Sequence, residues 1–159
     1  MAVTVVLIRH AQPAEGSSGG DALRPLTKEG VKIQRRMSAY IEGHDLVPDV
    51  ILTSPLLRAK QTAELLQETF KVEPIEETAL AENSDVEQLS SIIQAFGEGL
   101  TLFLVGHVPS LPALADALLG EAYFDGRMEK SSTIVLYFEG AIDFGAAEFV
   151  NYFKPSDVV

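Results

Sequence analysis

The stretch Val5-Val6-Leu7-Ile8-Arg9-His10-Ala11 joins an uninterrupted apolar run to an arginine and a histidine. The apolar, largely β-branched residues predict a strand that is buried on both faces, as in parallel sheets covered by helices. Arg9 and His10 follow at its carboxyl end, the side of open α/β sheets where ligands bind. An arginine fork suits phosphate oxygens and a histidine can act as nucleophile or base, although the same dipeptide can simply end a strand at the rim of a sheet.

Two further apolar runs end in a similar way. Residues 49–53 predict a second strand, and Ser54-Pro55 predicts the start of a helix whose first turn contains Arg58. Residues 100–105 predict a third strand, and His107 follows it after one glycine. Arg58 has a second explanation, as a surface arginine or as the partner of an acidic neighbour.

These strand ends predict one pocket. Because the carboxyl ends of parallel strands lie on the same side of a sheet, we expect Arg9, His10, Arg58 and His107 to converge there. Two arginines, two histidines and the free amides of a helix N-terminus suit a dianionic phosphoryl group.

The whole pattern predicts a single α/β domain over residues 1–159, built as a three-layer α/β/α sandwich with a mostly parallel central sheet. Thr27 is the expected N-cap of a helix that runs to about residue 42. Residues 72–75 are the expected edge strand at one side of the sheet. Thr133–Phe138 and Glu148–Phe153, separated by a glycine-containing connection, predict a hairpin that forms an antiparallel C-terminal edge.

Composition excludes several classes of function. The net charge of −11 disfavours binding to nucleic acid or to anionic lipid, and no apolar run approaches the ~18 residues of a membrane span. The absence of cysteine excludes disulfides, thiolate catalysis and cysteine-ligated metals. The chain enters its first strand without a leader-like segment, so we expect a cytoplasmic protein; the sequence defines no oligomeric state.

Three motifs carry a resemblance to a known family. Residues 7–11, 54–62 and 105–107 resemble the three signatures of the histidine phosphatase superfamily, in the order of that family and over nearly the whole chain. Residues 21–27 and 106–111 resemble the compact bacterial SixA-like branch, which is known for removing phosphate from phosphohistidine. The resemblance implies one histidine phosphatase domain over residues 1–159.

The resemblance also implies roles for the site residues. His10 would be the nucleophile that forms a phosphohistidine intermediate, while Arg9, Arg58 and His107 would bind the phosphoryl oxygens and stabilise the transferring group. Water would then release phosphate. Neither a metal nor another cofactor is expected, because these side chains supply the positive charge that Mg²⁺ supplies in other phosphoryl-transfer enzymes.

Glu82 is the candidate general acid. Leu80-Ala81-Glu82 resembles the position of the carboxylate that protonates the leaving oxygen in mutase-like members and many phosphatases. SixA-like members commonly lack that carboxylate, and Glu82 can also be read as a solvated glutamate in a loop. A protonated imidazole leaves readily, whereas an alkoxide needs an acid, so Glu82 bears on the choice of substrate.

The expected function is a phosphatase that acts on a phosphohistidine-bearing signalling or phosphotransfer protein. One alternative is a small-molecule phosphomonoesterase or mutase-like enzyme that uses Glu82 as its acid. An alternative of another class is a phosphate-binding module without catalytic activity. The Gly- and Ser-rich loop over residues 13–25 is either a mobile surface connection or a cover for the site.

Overall fold

A six-stranded sheet with helices on both faces forms the part of the protein that the computed structural model describes, residues 2–96 and 99–158. The strands are β1 (Val3–Arg9), β2 (Val50–Thr53), β3 (Ile75–Glu76), β4 (Thr101–Gly106), β5 (Thr133–Phe138) and β6 (Glu148–Phe153). The helices are α1 (Lys28–Gly43), α2 (Leu57–Phe70), α3 (Val86–Phe96) and α4 (Ser110–Leu119). Within these described ranges, no helix is long and apolar enough to span a bilayer.

The strand order is β3-β2-β4-β1-β5-β6. The four strands β3, β2, β4 and β1 are mutually parallel, whereas β5 pairs antiparallel with β1 and β6 pairs antiparallel with β5. The predicted mostly parallel sheet with an antiparallel C-terminal edge is therefore confirmed. Arg9 pairs with Gly106 and Thr53 pairs with Val105, so three chain segments leave the sheet at the same end.

Successive side chains of β1 point to opposite faces of the sheet, and each face is covered by helices. Val5 and Leu7 face one apolar cluster, and Val6 and Ile8 face the other; all four are completely buried. The first cluster is completed by residues of α3 and α4: Leu89, Ile93, Leu111, Leu114 and Leu118. The second is completed by residues of α1 and α2: Met37, Ile41, Ala59, Ala63 and Leu66. Burial on both faces explains why the first strand reads as a continuous apolar run.

Thr27 caps α1 as predicted, since its side chain accepts a hydrogen bond from the Gly30 amide. The predicted start of α2 is wrong: the helix begins at Leu57, and Leu56 rather than Ser54 occupies the N-cap position. Ser54 is instead engaged with the Leu56 amide and with a histidine ring. The first edge strand is also displaced, from the predicted residues 72–75 to Ile75–Glu76, where it pairs with Leu52 and Thr53.

Candidate active site

A pocket of about 200 Å³ lies at the carboxyl end of the parallel strands. It brings together all five residues that the sequence singled out: Arg9, His10, Arg58, Glu82 and His107. Four further residues complete its lining: Pro13, Arg24, Val108 and Lys130. Arg9, Arg24, Arg58 and Lys130 outweigh the single carboxylate of Glu82, so the pocket concentrates positive charge in a chain whose net charge is −11.

The sheet ladder continues into the site and fixes its two histidines relative to each other. The His10 amide donates to the Gly106 carbonyl at 3.0 Å, and the Ser54 amide donates to the Val105 carbonyl at 3.0 Å. The rings of His10 and His107 consequently lie 5.1 Å apart between centroids, at an interplanar angle of 53°. Strand pairing sets the separation of the two backbones, and the contacts of each ring, with the Ala11 carbonyl and with Ser54 Oγ, hold the side chains.

The His10 ring has a defined tautomer. Its Nδ1 lies 2.7 Å from the Ala11 carbonyl oxygen, and because a carbonyl only accepts hydrogen bonds, Nδ1 must carry the proton. The lone pair is therefore on Nε2. Ala11 is held in turn by its amide, which donates to Thr62 Oγ1 at 2.9 Å, and that hydroxyl donates to the Arg58 carbonyl at 2.7 Å. These bonds tie the end of β1 to the first turns of α2.

His107 is held by Ser54. Its Nε2 lies 2.7 Å from Ser54 Oγ, and the serine oxygen also accepts from the Leu56 amide at 3.2 Å. His107 Nδ1 is buried and has no hydrogen-bond partner among the residues that the structure describes. A buried ring nitrogen without a partner is costly, so its environment favours a ligand that supplies one.

The two arginines are anchored differently. Arg9 Nη1 donates to the Met128 carbonyl at 2.8 Å, which leaves its buried Nε without a partner in the described part of the chain. Arg58 is only 4% exposed and contacts two acidic residues. Its Nη2 donates to Glu82 Oε1 at 2.8 Å, and its Nη1 donates to the Asp21 carbonyl at 3.1 Å. Arg58 thus lies in the pocket and also has acidic neighbours, as both sequence interpretations proposed.

Glu82 extends from the loop before α3 to the mouth of the pocket. Its side chain is 44% exposed and forms the ion pair with Arg58. The carboxylate oxygen Oε1 lies 2.8 Å from Arg58 Nη2, and Glu82 is one of the residues that line the pocket. Its role as an acid stays a prediction.

The loop over residues 13–25 forms one wall of the site. Arg24 Nε donates to the Ala14 carbonyl at 2.7 Å, and Pro13 forms an isolated antiparallel bridge with Leu26. Asp21 joins the loop to the site through Arg58 and also pairs with Arg24 Nη1 at 3.1 Å. The loop therefore contacts the site through Pro13, Asp21 and Arg24.

Three residues near the reacting groups were missed or misread from the sequence. Ser54 belongs to the second motif but is predicted to act as a helix cap, although its place directly after β2 indicates that it can reach the pocket. Arg24 carries a local signal, because it belongs to the segment that resembles the SixA-like branch. Lys130 carries none, since it lies in the irregular segment before β5.

Burial sets the charge of both histidines. It is the main cause that lowers the pKa of His10 to about 3, with His107, Arg9 and Arg58 acting in the same direction and the Ala11 carbonyl opposing them. Burial likewise lowers the pKa of His107 to about 4, helped by Arg58 and Arg9. Both rings are therefore neutral near pH 7 in the ligand-free protein, and His10 Nε2 is available as a nucleophile.

These shifts predict that mild acid destabilises the fold. The unfolded histidines bind protons below a pKa of about 6.5 while the buried rings stay neutral, so stability falls as the pH drops below that value. For two histidines, we expect the free energy of unfolding to fall by about 2 to 3 kcal/mol between about pH 7.5 and about pH 5.5. Urea denaturation at both pH values measures the change.

The exposed His44 provides the control, because His44→Gln leaves both buried rings in place. We expect this variant to keep the full pH dependence and His10→Asn to lose about half of it. Equal stability of the unaltered protein at both pH values would contradict the neutral assignment of the buried rings.

Comparison with known proteins agrees with this geometry. Residues 5–104 match the family model of the histidine phosphatase superfamily (branch 1). The chain is 30% identical over 109 residues to the phosphohistidine phosphatase SixA of Escherichia coli (strain K12), covering 66% of this chain and 67% of that protein. Among the residues that the structure describes, no group of three or more His, Cys, Asp or Glu side chains is arranged to hold a metal ion.

Solved structures show the same fold. The protein histidine phosphatase SixA complexed with tungstate superposes with a TM-score of 0.88 at 25% identity, covering 98% of this chain and 99% of that one. A protein of Agrobacterium tumefaciens proposed to be a phosphohistidine phosphatase SixA gives a TM-score of 0.81 at 26% identity, covering 96% and 98%. The resemblance carried by the three sequence motifs is thereby confirmed, and the chain belongs to the histidine phosphatase superfamily.

Proposed function

We propose that this phosphatase removes the phosphoryl group from phosphohistidine in a partner protein, without a metal ion, through a phosphohistidine intermediate on His10. The observation that carries the proposal is the contact of 2.7 Å between His10 Nδ1 and the Ala11 carbonyl, which leaves the lone pair of the neutral ring on Nε2. The lowered pKa of His10, about 3, supports a neutral ring near pH 7. This nitrogen belongs to a pocket that also contains Arg9, Arg58 and His107.

In the first step, His10 Nε2 forms a bond to phosphorus while the bond between phosphorus and the substrate imidazole breaks. The electron pair of that bond stays on the leaving nitrogen, which departs as neutral imidazole when the substrate ring is already protonated. Arg9 Nε and His107 Nδ1 belong to residues that line the pocket and have no hydrogen-bond partner within the described ranges, so they are candidate donors to the phosphoryl oxygens. Arg58 adds a charge-assisted donor pair.

In the second step, water attacks the phosphorus of the intermediate and the bond to His10 Nε2 breaks. The electron pair returns to the ring, the water proton leaves with phosphate or solvent, and the neutral histidine is restored. The relative from Escherichia coli is named for phosphohistidine hydrolysis, which supports the same substrate class here.

The proposal is tested by phosphate release in the presence of EDTA. One substrate is a histidine-phosphorylated phosphotransfer domain, and the comparison set is a panel of small phosphate esters. We expect a higher kcat/KM for the phosphorylated domain, with no effect of EDTA. Faster release from an ester would contradict the substrate assignment, and loss of activity in EDTA would contradict metal independence.

A second candidate function is hydrolysis of a small phosphate ester. The ion pair between Glu82 and Arg58 at 2.8 Å favours it, because it brings a carboxylate to the mouth of the pocket where an alkoxide leaving group would need a proton.

The two candidates predict different effects of Glu82→Gln. If Glu82 protonates an alkoxide, the variant lowers ester hydrolysis by about 10²-fold or more. Phosphohistidine hydrolysis needs no such acid, so for that reaction we expect less than about a threefold change. Initial rates on both substrates measure the difference.

Glu76→Gln is the matched control, since Glu76 also forms an ion pair at 2.8 Å, with Lys60, but lies away from the pocket. It is expected to leave both rates unchanged. If Glu82→Gln lowers the rates of ester hydrolysis and of phosphohistidine hydrolysis equally, Glu82 does not act only as the acid for an ester leaving group.

A further inference from the structure

A second, larger cavity adjoins the phosphate pocket. It has a volume of about 680 Å³ and shares two lining residues with the pocket, Arg9 and Val108. Its wall includes Tyr123, Phe124 and Tyr152, from the segment after α4 and from β6. A phosphoryl group bound in the smaller pocket would therefore lie next to an aromatic surface.

The aromatic side chains form a continuous row. The ring of Tyr123 lies 4.8 Å from that of Phe149 and 5.0 Å from that of Phe124, and Phe124 lies 5.2 Å from Tyr152. Tyr123 is 54% exposed and Phe149 is 38% exposed, so the row continues from the cavity onto the outer surface. We call Tyr123, Phe124, Phe149 and Tyr152 the aromatic groove.

The shape and charge of the aromatic groove favour an apolar partner. Arg127 and Glu129 carry opposite charges on the cavity wall, and the remaining cation, Arg9, lies where the cavity meets the phosphate pocket. Exposed aromatic rings gain most from contact with apolar side chains, and Tyr is enriched among residues that dominate protein interfaces. Phe149 lies outside the cavity lining, so the exposed part of the row is not confined to the cavity.

The aromatic groove is also physically coupled to the phosphate pocket. Met128, which lines the cavity, supplies the carbonyl that holds Arg9 Nη1 at 2.8 Å. The Tyr152 hydroxyl accepts from the Glu129 amide at 3.1 Å and thereby fixes the same segment. All four groove residues lie beyond residues 5–104, the part that matches the family model, so this surface is a feature of the chain outside that match.

We propose that the aromatic groove binds an apolar side chain of the partner protein that is adjacent to its phosphohistidine. The inference rests on the proposed function, because it assigns the surface that selects the phosphorylated protein once the phosphoryl group occupies the pocket. The groove then contributes to kcat/KM for protein substrates and contributes little to the hydrolysis of the phosphorylated amino acid alone.

The test uses the full chain and three probes: free phosphohistidine, a peptide with phosphohistidine flanked by leucines, and the same peptide flanked by serines. The unaltered protein is expected to prefer the leucine-flanked peptide by about tenfold in kcat/KM, the size of effect produced by one well-packed apolar contact. Tyr123→Ala and Phe149→Ala are expected to reduce that preference to about twofold or less while leaving the hydrolysis of free phosphohistidine unchanged.

Ile75→Ala is the matched control, because Ile75 is 53% exposed on β3, at the opposite edge of the sheet. It should keep the full preference. The proposal is overturned if the unaltered protein shows no preference, if the groove variants keep it, or if they instead lower only the hydrolysis of an aromatic ester such as para-nitrophenyl phosphate. If the proposed function itself is wrong, the unaltered protein will hydrolyse neither free phosphohistidine nor either peptide. That result differs from hydrolysis of all three without a preference.

Discussion

Replacing His10 with alanine is expected to lower phosphate release by at least about 10⁴-fold, because in the proposed mechanism His10 is the nucleophile on which both steps depend. Arg9, Arg58 and His107 remain, so phosphate binding should be largely retained. Separate measurements of phosphate release and of phosphate affinity distinguish the two effects. Lost turnover with preserved binding is the result that removal of a nucleophile predicts.

His44→Ala is the control for His10→Ala, since His44 lies in an exposed position after α1, outside the pocket. It is expected to keep full activity. Circular dichroism establishes that both variants are folded. Residual activity of His10→Ala within about tenfold of the unaltered protein would contradict a covalent role for this residue.

Replacing Arg58 with methionine is expected to lower kcat/KM by about 10² to 10³-fold, the usual effect of removing one preorganised donor to a developing oxyanion. Methionine preserves much of the apolar volume of a side chain that is only 4% exposed. The change also leaves Glu82 without its ion-pair partner, which makes the pocket more negative and weakens the binding of a dianion. Steady-state kinetics and phosphate affinity should fall together.

Arg58→Lys separates charge from geometry. Lysine keeps the positive charge and loses the planar fork, so we expect an intermediate defect. Arg35→Met is the matched control, because Arg35 forms an ion pair with Glu68 in which both side chains are more than half exposed. Surface pairs of this kind contribute little, so its kinetics should be unchanged. Activity of Arg58→Met within threefold of the unaltered protein would contradict a phosphoryl-binding role.

The strands that position the site could be predicted because their signals are local. The continuous apolar run over residues 5–8 predicts a strand that helices cover on both faces, and all four residues are completely buried. Because the carboxyl ends of parallel strands lie on one side of a sheet, His10 and His107 are predicted to lie close together. The observed pairing of Arg9 with Gly106 confirms that these two strands end side by side. The C-terminal hairpin was likewise predicted with its observed bounds, because turn residues separate two short apolar runs.

Other parts of the site depend on contacts that no local pattern records. Ser54 is predicted to be a helix cap, but its hydroxyl forms a hydrogen bond with the ring of His107, which follows another strand. The helix begins three residues after Ser54. The same limit applies to Glu82 and Asp21, whose contacts with Arg58 come from two separate loops. Lys130 and the aromatic groove come from irregular chain and an edge strand, where periodicity carries no functional signal.

Trapping the phosphoenzyme tests directly whether His10 carries the phosphoryl group. The protein is mixed with a radiolabelled phosphohistidine substrate, quenched in alkali within the first turnover, and mapped by mass spectrometry. Phosphohistidine survives alkali and is lost in acid, so we expect an alkali-stable, acid-labile label on His10 that is absent from His10→Ala. Phosphate release without any labelled protein, or a label on another residue, would contradict the mechanism.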